Sequence, residues 1–370
     1  MRAHNLALVL QMVANSPDRP SRAALAAATG LTRATVSALV DDLIAGGLLA
    51  ELDPPPRTRA GRPAAGLALA PDGAAGLGLE INVDYLAACV VDLAGTPRHQ
   101  LTTHADQRPL PPATALAQLG RLASAARAAA EADGLTLAGA ALAVPGLVAP
   151  DGLVRVAPNL GWQDVDAPAL LSAVPALADL PITVDNEANL AALGELRADG
   201  GSPSFLYVSG EIGIGAGVVL DGELYRGVHG WSGEIGHVTV YPDGRPCRCG
   251  GNGCLEQYAG QEAMAADPAG AATALGIALS AAINLLDVDA VVLGGRYAAA
   301  FGWLREGIEA ELKRRVLTAD LAPVTLRAAT LGEDAATRGA ADAVIRAVRD
   351  DPAGWLARRP DEPPHPAAEK

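Results

Sequence analysis

The chain has 370 residues, is half hydrophobic but only 3% aromatic, and carries a formal net charge of −14. That length allows two or three domains and a large core, which must be built from Ala, Val, Leu and Ile. The acidic total excludes a chain that grips nucleic acid over its whole surface. Charge is nevertheless unevenly placed. Residues 1–66 hold seven arginines against five acids, a balance of +2 that leaves −16 on the remainder. A locally basic head on an acidic body fits a DNA-binding module joined to something that does not touch DNA. With no signal peptide and no 18-residue apolar run evident, a cytoplasmic protein with no membrane partner is expected.

In chain order, apolar residues at helical spacing (Leu6, Val9, Leu10, Val13) predict a first helix to about Asn15, broken by Ser16-Pro17-Asp18-Arg19-Pro20. Ser21 caps a short Ala-rich helix ending near Gly30, and Thr32 caps a third from Arg33 to about Ala45. This is helix-turn-helix grammar. Val36, Val40, Leu43 and Ile44 pack the third helix down, while Thr32, Arg33, Thr35 and Ser37 lie near its start, where a recognition helix meets bases and phosphates. Short strands at 48–52 and 66–69 flank a Pro- and Arg-rich loop, predicting a wing whose Arg57, Arg59 and Arg62 reach phosphate or the minor groove.

Pro71-Asp72-Gly73 marks the boundary to the body. Strand-like runs at 75–81, 86–93 and 98–104 precede a long helix, 112–132, and a buried strand, 137–144, ending in Pro145-Gly146. A strand at 182–184 leads into Asp185-Asn186-Glu187-Ala188-Asn189 and a helix to Arg197. The pattern then restarts, with strands at 204–209, 215–220 and 223–224, helices near 270–286 and 298–315, a strand at 290–293 and a last helix at 334–348. Two successive blocks of strands followed by alternating helix and strand predict a duplicated α/β body, residues 71–350, with ligand in the cleft between its lobes. Residues 351–370, rich in Pro and charge, are expected to be a disordered tail.

The densest chemistry runs from Ser232 to Gln257. Cys247, Cys249 and Cys254 bring three thiolates within eight residues, and Gly250, Gly251 and Gly253 let the backbone aim them at one point. His237 supplies a fourth corner, predicting a closed and therefore structural Cys3His zinc site. A disulfide pair with a spare thiol would need an oxidising compartment, for which nothing in the chain argues. An imidazole bound to zinc keeps its other ring nitrogen as an oriented donor. Glu234 beside it suits either a polyhydroxylated ligand or a supporting role to His237, and spacing alone does not choose.

Gly233-Glu234-Ile235-Gly236-His237 and the Cys-x-Cys-Gly-x-x-Gly-Cys-Leu-Glu run at 247–256 resemble the signature of the ROK family of repressors, open reading frames and sugar kinases. The winged helix makes the chain similar to the xylose and N-acetylglucosamine repressors of that family. The resemblance implies an N-terminal winged helix, residues 1–70, followed by an α/β actin-like, ribonuclease-H-like duplicated domain. It implies a sugar or sugar phosphate held by Asn186, Glu187, Glu234, His237 and Glu256, with Gly146 and Asn159 beside them, and a histidine that both binds zinc and contacts sugar. It further implies operator DNA as partner and a homodimer or homotetramer.

Family kinases open with Asp-x-Gly-Gly-Thr, a loop that approaches ATP phosphate through backbone N–H groups. Here that stretch is Glu80-Ile81-Asn82-Val83-Asp84, without glycine and with added negative charge. The second phosphate loop corresponds to Glu211-Ile212-Gly213, and the catalytic Asp to Glu187, one methylene longer. Only Gly294-Gly295 resembles the adenosine motif. A sugar-responsive regulator without kinase activity is therefore expected, with a sugar kinase carrying a regulatory head, or relief of repression by a protein, as the alternatives.

Overall fold

The computed structural model describes residues 1–52, 65–199 and 202–358. Helices α1 (Arg2–Ala14), α2 (Arg22–Thr29) and α3 (Arg33–Ala45) precede the antiparallel strands β1 (Leu49–Leu52) and β2 (Gly66–Leu69). Local chemistry sets the boundaries. The Ser21 hydroxyl accepts the Ala24 N–H at 3.2 Å and the Thr32 hydroxyl that of Thr35 at 3.2 Å, each satisfying a donor that a helix start leaves unpaired. Between them Gly30 adopts φ +69°, which ends α2 and turns the chain. Arg57, Arg59 and Arg62, expected to arm the wing, lie outside the described residues.

The first lobe comprises β3 (Ala74–Ile81), β4 (Tyr85–Asp92), β5 (Pro97–His104), α4 (Pro112–Ala132) and β6 (Thr136–Val144). An insertion of β7 (Leu147–Val148), β8 (Leu153–Ala157) and β9 (Trp162–Asp166) follows, then α5 (Ala167–Ser172) and β10 (Ile182–Asn186). The sheet order is β10-β6-β3-β4-β5, antiparallel among β3, β4 and β5 and parallel from β3 outward through β6 to β10. Strand β3, small and apolar apart from Glu80, is buried throughout at the sheet centre, whereas the edge strand β5 is mostly exposed and polar.

Helix α6 (Glu187–Asp199) leads to the second lobe: β11 (Phe205–Gly210), β12 (Ile214–Leu220), β13 (Glu223–Tyr225), a long loop, α7 (Glu256–Ala259), α8 (Gln261–Ala266), α9 (Pro268–Leu286), β14 (Ala290–Gly295), α10 (Arg296–Ala299), α11 (Phe301–Arg315) and β15 (Thr325–Ala328). Its sheet order, β13-β12-β11-β14-β15, repeats the first lobe with the same senses of pairing, so the body is duplicated. Strand β15, the insertion β7–β9 and helix α5 have no counterpart in the sequence reading. They are short and lack a clear hydrophobic period.

After β15 the chain returns to the first lobe as α12 (Ala335–Asp350), which packs on β3, β4 and β6 and against α6. The close approach needs glycine. A Cβ on Gly78 would fall 1.9 Å from the Thr337 carbonyl oxygen, and one on Gly339 would fall 1.7 Å from that of Leu190. The expected disordered tail begins as a helix instead: α13 (Pro352–Arg358) continues from α12. Trp355 is buried, and its indole N–H donates to the Gly46 carbonyl oxygen of the head at 3.0 Å. Trp355 and Leu356 supply apolar anchors that the charged composition of the last twenty residues conceals. The head core thus runs into the body, joining Leu6, Leu10 and Leu43 to Leu93, Ile345, Val348 and Trp355.

One more expectation is corrected. Helix α9 is 19 residues long and apolar enough by composition to cross a membrane. Half of it is buried in the second lobe, packed on α11. Small residues serve this contact, where a Cβ on Gly276 would lie 2.3 Å from that of Glu311.

Candidate functional site

The loop between β13 and α7 gathers His237, Cys247, Cys249 and Cys254, their ligand atoms all within 4.8 Å of one another. Cys249 and Cys254 sulfurs are 3.6 Å apart, and Nδ1 of His237 lies 3.8 Å from the Cys247 sulfur. A tetrahedral ion with bonds of about 2.3 Å to sulfur needs ligand atoms about 3.8 Å apart, so the donor set and its spacing fit zinc. The backbone is shaped for this. Gly250 and Gly253 adopt φ +94° and +71°, and a Cβ on Gly253 would fall 1.6 Å from the Tyr241 carbonyl oxygen. The Cys247 N–H donates to the Gly251 carbonyl at 2.8 Å, closing the turn, and the Gln257 side-chain amide donates to the Cys247 sulfur at 3.5 Å. With Nδ1 turned to the sulfurs, Nε2 of His237 is left for another partner.

The same loop faces the cleft. Glu234 lies close enough to His237 and Glu256 to feel both charges; burial pushes its carboxyl up, His237 opposes this and Glu256 adds to it. Glu256 and Asn159 approach each other over Gly213, where a Cβ would meet Glu256 Oε2 at 3.0 Å and Asn159 Nδ2 at 3.8 Å. On the opposite wall, the Asn186 amide donates to the Gly146 carbonyl at 3.1 Å and to Glu187 Oε2 at 2.9 Å. Its carbonyl accepts the Ala188 and Asn189 N–H groups at 2.8 and 3.2 Å, so Asn186 caps α6 and is held rigidly. Glu187 Oε1 reaches toward Gly215 on the second lobe, where a Cβ would lie 3.6 Å away. Asn186, Glu187, Glu234, His237, Glu256, Gly146 and Asn159 are thereby assembled from the ends of β6 and β10, the β7–β9 insertion and the metal loop. Such convergence where strands end is where α/β sheets bind ligands. Burial and the neighbouring Glu80, Glu234 and Glu211 push Glu187 up to about 8.

Deeper in the cleft the lining is acidic and hydroxylated. Glu80 is buried; it accepts the Tyr85 hydroxyl at 2.5 Å and also that of Thr337 at the start of α12. Burial pushes Glu80 above the usual carboxylate range even though both hydroxyls pull it back. Glu211 faces Gly295, with its Oε1 2.4 Å from where a Cβ would stand, and burial raises it to about 7. Glu80, Tyr85 and Glu211 line a small pocket of about 30 Å³, open to one side, together with Asn82, Glu187, Tyr207 and Ser209. Tyr85 and Thr337 escape the sequence reading, Thr337 because it is 257 residues from its partner. Arg226 escapes it too: from the second lobe its Nε pairs with Asp185 Oδ2 of the first at 2.8 Å.

In the head, Thr32, Arg33 and Thr35 are exposed together at the start of α3, and Ser37 is partly buried, its carbonyl accepting from Arg22 at 3.3 Å. Arg22 also pairs with Asp41 at 2.6 Å and Glu51 at 2.8 Å, tying α2 to α3 and to the base of the wing.

The profile of the ROK family matches residues 76–274 and 269–347, and that of the MarR family matches residues 7–60. The xylose repressor of Bacillus subtilis is 32% identical over 259 residues, covering 70% of this chain and 65% of that protein's length. A glucokinase of Halalkalibacterium halodurans is 32% identical over 249 residues, covering 55% of this chain and 74% of the kinase. Among solved structures, a ROK-family transcriptional regulator homologous to the E. coli MLC protein superposes with a TM-score of 0.80 over 96% of this chain and 98% of its own, at 23% identity. The shared fold is thus a winged head followed by a two-lobed, actin-like body.

Proposed function

The chain belongs to the ROK family, and on that premise we propose that it is a sugar-responsive, DNA-binding transcriptional repressor with a structural zinc site. The observation that carries the reading is the joining of two parts: a helix-turn-helix head with Thr32, Arg33 and Thr35 exposed on α3, and a body whose cleft gathers hydrogen-bonding side chains from both lobes. Neighbouring hydroxyls of a sugar each donate and accept. Paired carboxylates with amide and imidazole donors at fixed positions match that pattern. Asn186, Glu187 and Gly146 belong to one wall, and Glu234, His237 and Glu256 to the other. A sugar held between them favours closure of the lobes, which is how a ligand biases a two-state protein.

His237, Cys247, Cys249 and Cys254 would hold zinc, whose role is to fix the loop and orient His237 toward the ligand. The winged helices of a homodimer would read two symmetric operator half-sites through Thr32, Arg33, Thr35 and Ser37, with Arg57, Arg59 and Arg62 of the wing adding phosphate or minor-groove contacts. Sugar kinase is the second reading, favoured by the likeness to glucokinases. The carboxylates of Glu80 and Glu211, placed where a polyphosphate would meet negative charge, argue against a bound nucleotide.

One experiment separates the two. The zinc-loaded protein is melted against free and phosphorylated hexoses, pentoses and N-acetylhexosamines, with and without ATP, and its affinity for upstream DNA is measured with each ligand. A ligand at a hundred times its dissociation constant stabilises by about 2.7 kcal/mol. A sugar that shifts both melting and DNA binding, with no effect of ATP, is the expected outcome. Sugar-dependent release of ADP would overturn it.

A further inference from the structure

The carboxylates of the small pocket deep in the cleft have little positive charge to answer them. Glu80, Glu187, Glu211 and Glu333 all line it. Among the described residues Glu80, Glu187 and Glu333 have no ion pair, and Glu211 has only Arg296, at 4.0 Å and half exposed. Burial, aided by the neighbouring carboxylates, raises Glu187 to about 8 and Glu211 to about 7. Near neutral pH the pocket therefore holds protons that a cation would displace.

Two hydroxyls point to an occupant. Tyr207 and Ser209 stand two apart on β11 and so share one face of the strand. They are 2% and 7% exposed, both line the pocket, and neither hydroxyl has a hydrogen-bond partner among the described residues. The hydroxyls of Tyr85 and Thr337, by contrast, are spent on Glu80. Glu187 Oε1 reaches toward Gly215, the cross-strand partner of Ser209. Glu211 Oε1 and the Tyr207 hydroxyl press on the neighbouring Gly295 and Gly294, where a Cβ would fall 2.4 and 1.9 Å from them. Two carboxylates and two hydroxyls thus converge where β11, β12 and β14 end. Buried polar groups left unpaired, like crowded charges of one sign, cost stability unless a ligand answers them.

We propose that this pocket is a cation site beside the sugar cleft, holding a small hard cation through oxygens of Glu187, Glu211, Tyr207 and Ser209. The cation is either a free inorganic ion or the ammonium group of an aminated sugar lying in the cleft. All the donors are oxygen and two are carboxylate, a set that suits hard cations such as magnesium and calcium and not soft metals. An ammonium group presents three N–H donors to the same acceptors. The pocket opens to one side, and Glu187 belongs both to it and to the cleft wall, so a sugar and the cation would adjoin. The ammonium form rests on the sugar reading; the inorganic form stands without it.

The test is calorimetric titration of the zinc-loaded full chain with magnesium chloride, calcium chloride, glucosamine and glucose in turn. Ionic strength is held with tetramethylammonium chloride, whose cation has no N–H to offer. One ion or one glucosamine per chain is expected, bound roughly tenfold or more weakly by Glu211→Gln and by Ser209→Ala. Binding should tighten as pH rises through about 7 to about 8, because the cation displaces protons from Glu211 and Glu187. Glu211→Gln should melt no lower than the parent chain in cation-free buffer, since it relieves crowded charge, and Ser209→Ala tests the site without altering charge. Ion binding with the two sugars equal identifies the inorganic form. Tighter binding of glucosamine than of glucose, with the advantage lost in Glu211→Gln, identifies the ammonium form, and each result supports the site. No ion binding together with no preference for glucosamine, or affinities untouched by both variants, would overturn it. Ions that bind while neither sugar does would sink the sugar reading and leave this site standing.

Discussion

Three cysteine sulfurs and an imidazole within 4.8 Å form an arrangement that a bare protein has little reason to keep, and the metal reading is testable residue by residue. Cys249 is exposed, so Cys249→Ser leaves packing intact. Metal analysis should show zinc falling from about one ion per chain to a small fraction, and the sugar-induced shift in melting should vanish as His237 loosens. A variant that keeps the shift without zinc would separate the metal from the ligand site. Glu187 makes a second prediction. Its folded value of about 8 exceeds the usual carboxylate value, so the folded chain holds a proton that the unfolded chain has released. The stability from Glu187 is therefore fully present below pH about 4.5 and is lost as pH rises through about 8. Glu187→Gln should flatten the decline in melting temperature across that window; an unaltered slope would assign the decline to other groups. Both residues were legible in the sequence through motif and spacing. The partners of Glu80 were not, because Thr337 reaches it only through the fold.

At the scale of elements, legibility followed local chemistry. The boundaries of α2 and α3 could be read because Ser21 and Thr32 are caps whose partners lie three residues on, and that of α4 because proline opens it. Strands β7 to β9 and β15 and helix α13 could not. Each is short, and each owes its existence to a surface supplied from elsewhere in the chain. Helix α13 is the instructive case, since Trp355 is buried only because α1 and the end of α3 are there to cover it. Trp355→Ala should cost about 3 kcal/mol at that junction. Limited proteolysis between head and body should then accelerate, and the head should melt ahead of the body. A single unshifted transition would show that α13 rides on the seam without holding it.

For the whole molecule, α12 is the connecting part. Its first turn carries Thr337, which reaches Glu80 in the cleft, and its last turns carry Ile345 and Val348 in the core shared with the head. A helix of 16 residues spans roughly 24 Å. Helix α12 thus joins the cleft to the core shared with the head. The Arg226–Asp185 pair crosses the same cleft on its outer side, half exposed on the arginine, and such pairs contribute at most about 1 kcal/mol. Arg226→Ala should weaken sugar binding by up to about fivefold in a calorimetric titration while leaving the zinc content alone. Unchanged affinity would mean that the pair accompanies closure without favouring it.

The sequence by itself determined the winged head, the repeated α/β body and the Cys3His donor set, whereas the carboxylates and amides of the cleft came only through the resemblance to a family. The first three depend on short-range periodicity, on caps and on ligands close together in the chain. Only the tertiary structure decided that the head is clamped by the C-terminal helices, that Tyr85 and Thr337 both bond Glu80, and that Arg197 and Arg349 meet at the seam. Those contacts join residues from 5 to more than 300 positions apart. Shape and burial bring them together, and neither leaves a periodic trace in the chain.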